Sequence, residues 1–327
     1  MHINVKCESY PIQGQFRISR GTKTAAEVLV CEISHNSHIG RGECVPYARY
    51  GETLGEVEAA IRGYEIADCE DPKQARDLLQ TKMKRGAARN ALDCALWDLE
   101  AKLSGKHFHQ LAHMPPPRPL ETAFTLSLDT PEAMADAARG ASSRPILKIK
   151  LGGPDDIACM HAVVANAPSS RIIIDANEAW HEEDLPKFMR EAAHLDVSLI
   201  EQPLPAGNDQ ILANMPHPVP ICADESAHCS QDIAKLTDRY DYVNIKLDKT
   251  GGLTEAFKMH AEAKRLGFGI MVGCMVGTSL AMAPAIHLAQ DADYVDLDGP
   301  LLLAKDRSPA LHYFGNTVSP PETRLWG

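Results

Sequence analysis

Between residues 122 and 297 the chain repeats one pattern: a short apolar run rich in β-branched residues, then a stretch with helical periodicity. Eight such runs can be read: Thr122–Leu128, Ile146–Leu151, Arg171–Asp175, Ser198–Glu201, Pro220–Ala223, Tyr242–Leu247, Gly269–Gly273 and Tyr294–Leu297. Amphipathic segments such as Asp155–Ala167, Glu183–Leu195 and Leu253–Leu266 lie between them. Buried strands alternating with helices predict a parallel sheet covered by helices, and eight units suffice to close a barrel. No helical pattern follows the eighth run. The tail, 300–327, carries several prolines and aromatics and is expected to pack back on the N-terminal part.

Residues 1–118 break this rhythm. His2–Cys7, Glu27–Ser34 and His38–Cys44 read as strands, the last two joined at an Asn36-Ser37 turn. Phe16–Lys23 and Pro46–Glu52 read as polar loops, and three helical patterns follow. In the last of them, Ala87–Leu103, Ala88, Ala91, Leu92, Ala95, Leu96 and Leu99 share one face, and Ser104-Gly105 ends the helix. Antiparallel strands followed by helices predict an α+β capping domain over 1–118, and the proline-rich stretch Met114–Pro119 marks its boundary with an α/β barrel domain over 119–299.

Composition narrows the class. A formal net charge of −11 counts against nucleic acid and anionic membrane as partners. There is no apolar run of membrane-spanning length, and the N-terminus has no apolar leader core. Nine cysteines without CxxC pairing read as reduced core residues of a cytoplasmic protein. Fourteen histidines show no metal-binding spacing, and Gly40-Arg-Gly42 lacks the glycine spacing of a phosphate loop.

The chemistry lies at the strand ends. Asp175, Glu201 and Asp224 close three consecutive apolar runs. In a parallel barrel those ends meet at one mouth, so three hard oxygen donors converge, a set that suits Mg²⁺ with room for substrate oxygens. On the second strand Lys148 and Lys150 share a face, where repulsion and burial would lower their pKa toward that of an amine base. The sixth strand brings Lys246 from across the barrel. Two opposed bases at one carbon permit a 1,1-proton transfer, with a metal to hold the enediolate that forms beside a carboxylate. On the eighth strand Asp296 and Asp298 are surplus to the metal and available for a cationic substrate group. Arg20, on the first capping loop, offers a guanidinium for a carboxylate.

The set Lys148-Ile-Lys150, Asp175, Glu201, Asp224-Glu225 and Lys246-Leu-Asp248-Lys-Thr-Gly-Gly resembles the enolase superfamily, in its muconate-lactonising-enzyme subgroup, over nearly the whole chain. The resemblance implies a modified TIM barrel, (β/α)7β, under an N-terminal α+β capping domain. It implies Mg²⁺ on Asp175, Glu201 and Asp224, an acid/base pair in Lys150 and Lys246, and Lys148 in support of the carboxylate or of its neighbour's pKa. The Asp296-x-Asp298 pair is similar to that of dipeptide epimerases, where it holds the substrate α-ammonium. Phe16-Arg-Ile-Ser-Arg20-Gly21 and the Tyr47–Glu52 loop resemble the L-Ala-D/L-Glu epimerase branch, implying that Arg20 reads the glutamate side chain and that Thr125, Cys274 and Met275 contact substrate. Taken together, the resemblance implies an Mg²⁺-dependent dipeptide epimerase, a homo-oligomer by the superfamily's habit, engaged with murein peptides. A lyase or cycloisomerase on the same scaffold, and a barrel kept only for binding, are the rival readings.

Overall fold

A computed structural model describes residues 1–66, 69 and 71–327. The N-terminal lobe is an antiparallel sheet of β1 (His2–Ile18), β2 (Gly21–His35) and β3 (His38–Cys44), followed by α1 (Leu54–Arg62), α2 (Pro72–Lys82) and α3 (Ala87–Ser104). The expected Phe16–Lys23 loop is a correction. Pairing of β1 with β2 resumes after an irregularity between Pro11 and Phe16 and continues through Phe16↔Lys23 to Ile18↔Gly21. Only Ser19 and Arg20 form the tip, so this segment projects as a stiff hairpin.

Helix α3 is the keystone of the lobe. Leu92, Leu96 and Leu99 on its apolar face are fully buried, and so are Asn90, Asp93 and Asp98 on the other side. Those polar groups serve the joint with the rest of the chain: Asn90 donates to Asp248, Arg89 donates to the carbonyls of Thr250 and Gly251, and Asp93 accepts from the Thr254 N–H. Gly40-Arg-Gly42 now has a reason. A Cβ at Gly40 would stand 2.1 Å from the Ala95 carbonyl oxygen, and one at Gly42 would stand 2.2 Å from that of Ala91. Only glycine lets β3 lie this close on α3.

After a short helix α4 (Phe108–Leu111) and a two-residue strand β4 (Leu120–Glu121), the barrel runs in the order expected. It comprises β5 (Phe124–Leu126), α5 (Pro131–Gly140), β6 (Ile146–Lys150), α6 (Asp156–Asn166), β7 (Arg171–Asp175), α7 (Leu185–His194), β8 (Leu199–Glu201), β9 (Ile221–Ala223), α8 (Ser230–Ile233), β10 (Tyr242–Ile245), α9 (Leu247–Thr250), α10 (Leu253–Arg265), β11 (Gly269–Gly273), α11 (Ser279–Leu288) and β12 (Tyr294–Asp296). Each barrel strand pairs parallel with the next. The Ala123 N–H donates to the Val295 carbonyl at 2.8 Å and the Leu297 N–H to the Thr122 hydroxyl at 2.9 Å, stitching the first strand to the last. A single 3₁₀ turn, Gly299–Leu302, replaces an eighth helix. The fold is therefore a (β/α)7β barrel under an α+β lobe. The tail forms a hairpin of β13 (Tyr313–Phe314) and β14 (Thr317–Val318) against β4, and its Arg307 reaches Glu8 and buried Glu43.

Beside α11, His287 lies in an aromatic nest with Phe108 and Trp326, and its Nδ1 has no hydrogen-bond partner. Burial, with a smaller push from His109, lowers its pKa to about 3. The unfolded chain takes up that proton below its ordinary pKa near 6.5, whereas the folded chain does not until about pH 3. Stability is therefore fully present above pH 6.5 and falls as the pH drops through the window beneath it. We expect this one group to cost about 2 kcal/mol by pH 5. Urea unfolding at pH 7 and pH 5 should show the loss, and His287→Gln should reduce the difference by that amount.

Candidate active site

Alternation along each strand decides what enters the barrel. Ile146, Ile173, Leu199, Cys222 and Met271, with Ala123, form a buried apolar floor. Two residues further along their strands, on the same face, stand Lys148, Asp175, Glu201 and Asp224, and one step above Lys148 stands Lys150. Buried Asn244 on β10 precedes Lys246 by the same two-residue step. The register pairs Lys150 with Asp175 and Asp175 with Glu201, so the charged layer is set by the ladder itself.

The groups in this layer are all interlocked. Lys148 Nζ lies 2.7 Å from Glu201, 2.8 Å from Asp296 and 3.1 Å from Asp175. Lys150 donates to Asp175 at 2.5 Å. Lys246 donates to Asp224 at 2.6 Å, and Lys249, from α9, donates to the other Asp224 oxygen at 2.6 Å. Burial alone would raise Asp224 and Asp175; the lysines outweigh it and hold both carboxyls below the usual range. Glu201 goes the other way, raised by burial and by Asp175, because it shares the Lys148 ammonium with two other acids. The expected lowering of Lys148 is a correction. Burial pushes it down, but Asp296, Glu201 and Asp175 together hold it well above the ordinary lysine value. Lys246 is raised likewise, chiefly by Asp224 against its burial.

Above this layer opens a cavity of about 480 Å³ between barrel and lobe. Lys150, Lys246, Asp224, Cys274 and Met275 wall it from the barrel, and Phe16, Arg20, Lys23, Tyr47 and Tyr50 wall it from the lobe. Lys150 and Lys246, from the second and sixth barrel strands, thus border the same space. Lys148, Asp175, Glu201, Thr125, Asp296 and Asp298 are buried but are not among its lining residues.

Residues 1–112 match the mandelate racemase / muconate lactonizing enzyme N-terminal domain, and residues 132–298 match the enolase C-terminal domain-like family. The chain belongs to this family. A Pseudoalteromonas relative, named N-acetyl-D-glutamate racemase, is 46% identical over 92% of this chain and 95% of its own. The L-Ala-D/L-Glu epimerase of Escherichia coli K12 is 42% identical over 94% and 95%. An enolase family member from Agrobacterium tumefaciens with homology to dipeptide epimerases, solved with sodium and L-Ala-L-Glu, is 55% identical and superposes with a TM-score of 0.95 over 99% of both chains. Dipeptide epimerases with the same fold are solved with Mg and a dipeptide.

In this family member the metal question turns on the carboxylates. Among the described residues no three acids, histidines or cysteines stand at metal-ligand spacing; Asp175, Glu201 and Asp224 are each paired with a lysine instead. The donor chemistry nevertheless fits Mg²⁺. Asp175, Glu201 and Asp224 are buried oxygen donors on adjacent strands, and Glu201 Oε2 faces Lys148 outside hydrogen-bond geometry, without a hydrogen-bond partner.

The side chains expected to meet substrate already have partners within the fold. Asp296 is not idle: one oxygen engages Lys148, and the other, Oδ1, is buried without a partner. Asp298 lies past the end of β12 and accepts the Thr125 N–H at 2.6 Å; burial and Asp296 push its pKa up to about 7. Nor is Arg20 free. It donates to Glu225 at 2.7 Å, to Glu178 at 3.1 Å, to the Asn177 carbonyl at 2.7 Å and to the Tyr47 hydroxyl at 3.1 Å.

Those partners are what sequence reasoning left without a role. Asn177 and Glu178 follow Asp175 with φ of 46° and 68°, a left-handed turn that no local pattern announces. Glu178 also takes both arms of Arg49 at 2.6 Å. Gln202, next to Glu201 with φ 36°, accepts the Asp224 and Ser226 N–H groups and so holds the end of β9 in place. Lys249 belongs to the Lys246-Leu-Asp248-Lys motif, and its three-residue spacing from Lys246, one helical turn, is the signal that could have found it.

Proposed function

We propose that this protein is an Mg²⁺-dependent isomerase, a dipeptide epimerase whose substrate is L-Ala-D/L-Glu. One observation carries the reading: two lysines on opposite sides of the barrel, Lys150 and Lys246, border one cavity, each paired to a different acid of the Asp175, Glu201, Asp224 set. Those three acids would hold the metal, which when bound supplies positive charge to the substrate carboxylate. Lys150 takes the α-proton of the second residue from one face and Lys246 delivers one to the other, the roles reversing with the isomer. Lys148 supports the carboxylate from beneath. Arg20, on the hairpin tip, borders the side-chain end of the cavity, with Cys274 and Met275 opposite. Asp296 and Asp298, with Thr125, receive the α-ammonium. A substrate of this chemistry points to murein peptide recycling, in the cytoplasm, by a homo-oligomer. The net charge of −11 and the lack of any membrane-length helix among the described residues accord with that setting.

A second substrate is favoured by a specific observation. The 46% identical relative carries the name of an N-acetyl-D-glutamate racemase, and that substrate keeps the glutamate α-carbon and side chain but has no ammonium. Asp296, already paired with Lys148, and Asp298, already accepting from Thr125, are compatible with an amide there.

¹H NMR in D₂O with Mg²⁺ separates the cases. L-Ala-L-Glu should lose its Glu α-proton signal while the L-Ala-D-Glu diastereomer grows. Exchange with N-acetylglutamate alone would move the assignment to the racemase, and exchange with neither, in enzyme that binds Mg²⁺, would sink both. Asp298→Asn sharpens the test: kcat/KM for L-Ala-L-Glu should fall on the order of 100-fold through loss of a buried charge partner, and that for N-acetylglutamate should barely change.

A further inference from the structure

We propose that Asn244, through its side-chain amide and its carbonyl, is the positioning residue for Glu201 and Asp224 as Mg²⁺ ligands. The inference rests on the reading above that Asp175, Glu201 and Asp224 hold the metal, and it assigns the order within that set to a neutral side chain. Asn244 lies on β10 and is fully buried. Its Nδ2 donates to Glu201 Oε1 at 2.8 Å. A carboxylate only accepts, so the amide must turn its NH₂ end to Glu201. The lysines that meet the same acids carry charge and compete with a bound cation for them. The amide adds a hydrogen bond and no charge. It fixes one Glu201 oxygen and leaves Oε2, which has no hydrogen-bond partner, for the metal.

The backbone of the same residue reaches the second carboxylate. The Asn244 carbonyl accepts from Lys249 Nζ at 2.8 Å, and that ammonium donates at 2.6 Å both to Asp224 Oδ1 and to the Asp224 carbonyl. All the donors of Lys249 are thereby used, and one residue of β10 is tied to acids at the ends of β8 and β9. Room for the amide is made on the next strand. A Cβ at Gly273, the last residue of β11, would stand 2.7 Å from Asn244 Oδ1 and 2.8 Å from Nδ2. Gly273 is ordinary strand, so space, not backbone freedom, calls for glycine there. Asn244 Oδ1 itself has no hydrogen-bond partner. A buried amide oxygen left unpaired costs stability, and an apolar side chain at this position would avoid that cost. The hold on Glu201 is what the amide supplies in return.

The test is isothermal titration of the full-length enzyme with Mg²⁺ and, separately, with Ca²⁺. Mg²⁺ demands near-ideal octahedral geometry, whereas Ca²⁺ accepts an irregular set of oxygens, so a loosened Glu201 should harm Mg²⁺ first. Asn244→Ala should weaken Mg²⁺ binding by about 10–100-fold, the range for losing a group that orients a ligand, and Ca²⁺ binding by no more than about threefold. A merely structural defect would weaken both alike. Gly273→Ala keeps every polar group and crowds the amide. It should weaken Mg²⁺ in the same direction, and adding it to Asn244→Ala should cost nothing further, because it acts through that amide. Gly273→Ala also carries the test where Asn244→Ala does not fold. Mg²⁺ affinity within about twofold of wild type in either single variant, or equal losses of Mg²⁺ and Ca²⁺, overturns the inference. Glu201→Gln separates this from failure of the metal reading. Its loss of Mg²⁺ binding keeps Glu201 as a ligand whatever Asn244 does. Wild-type Mg²⁺ affinity in Glu201→Gln, or a wild type that binds no Mg²⁺, overturns the metal reading and the inference with it.

Discussion

Lys246→Ala should stop epimerisation of L-Ala-L-Glu, lowering the rate by at least about 10³-fold, while proton exchange persists for one isomer. A positioned general acid or base contributes about 10²–10⁴-fold, and inversion needs one on each face. With Lys246 gone, Lys150 can still remove and return the α-proton that points toward it, so that isomer takes up deuterium without becoming its diastereomer. The other isomer should neither exchange nor invert. Folding should survive the change, because Asp224 keeps Lys249 at 2.6 Å as its partner. Two NMR experiments in D₂O, starting from L-Ala-L-Glu and from L-Ala-D-Glu, read the asymmetry directly. Epimerisation in both directions near the wild-type rate would remove Lys246 from the chemistry. Lys150→Ala should give the mirror result.

Asp224→Ala should produce the largest loss of stability in the site and end the response to Mg²⁺. The carboxylate is 1% exposed and stands between the Lys246 and Lys249 ammoniums, each at 2.6 Å. Its removal leaves two buried cations facing each other, with Lys249 retaining only the Asp224 and Asn244 carbonyls. Breaking a buried ion pair from one side costs about 3–5 kcal/mol, and urea unfolding of metal-free enzyme should show a loss of that size. Wild type should gain about 2.7 kcal/mol from Mg²⁺ at a hundred times its dissociation constant. The variant should gain almost nothing, by the same unfolding curves and by titration calorimetry. A variant still stabilised by Mg²⁺ to the wild-type extent would exclude Asp224 as a ligand.

Local patterning was enough to specify the barrel and the inward direction of its charged layer. Strand periodicity is local, and two residues always return to the same face; once Ile173, Leu199 and Cys222 belong to the floor, Asp175, Glu201 and Asp224 must stand above it. The same rule delivered Lys148 and Lys150 to one face and left the chain without an eighth helix. It also gave α3, whose apolar stripe is a local pattern. Who pairs with whom, by contrast, is settled only in the closed fold. Lys148 was expected to be depressed by its neighbour Lys150, yet three acids from strands β7, β8 and β12 raise it, because a pKa sums over every charge within reach, whatever its distance along the chain. Phe16–Lys23 reads as a polar loop, since a hairpin tip that docks on another domain needs no alternation of its own. Arg20 reads as an open guanidinium, and only the docking of that tip onto the left-handed turn at Asn177 and Glu178, 157 and 158 residues away, commits it to internal partners. Periodicity is written residue by residue; the balance of charge in a closed barrel exists only after distant strands and the capping lobe have met.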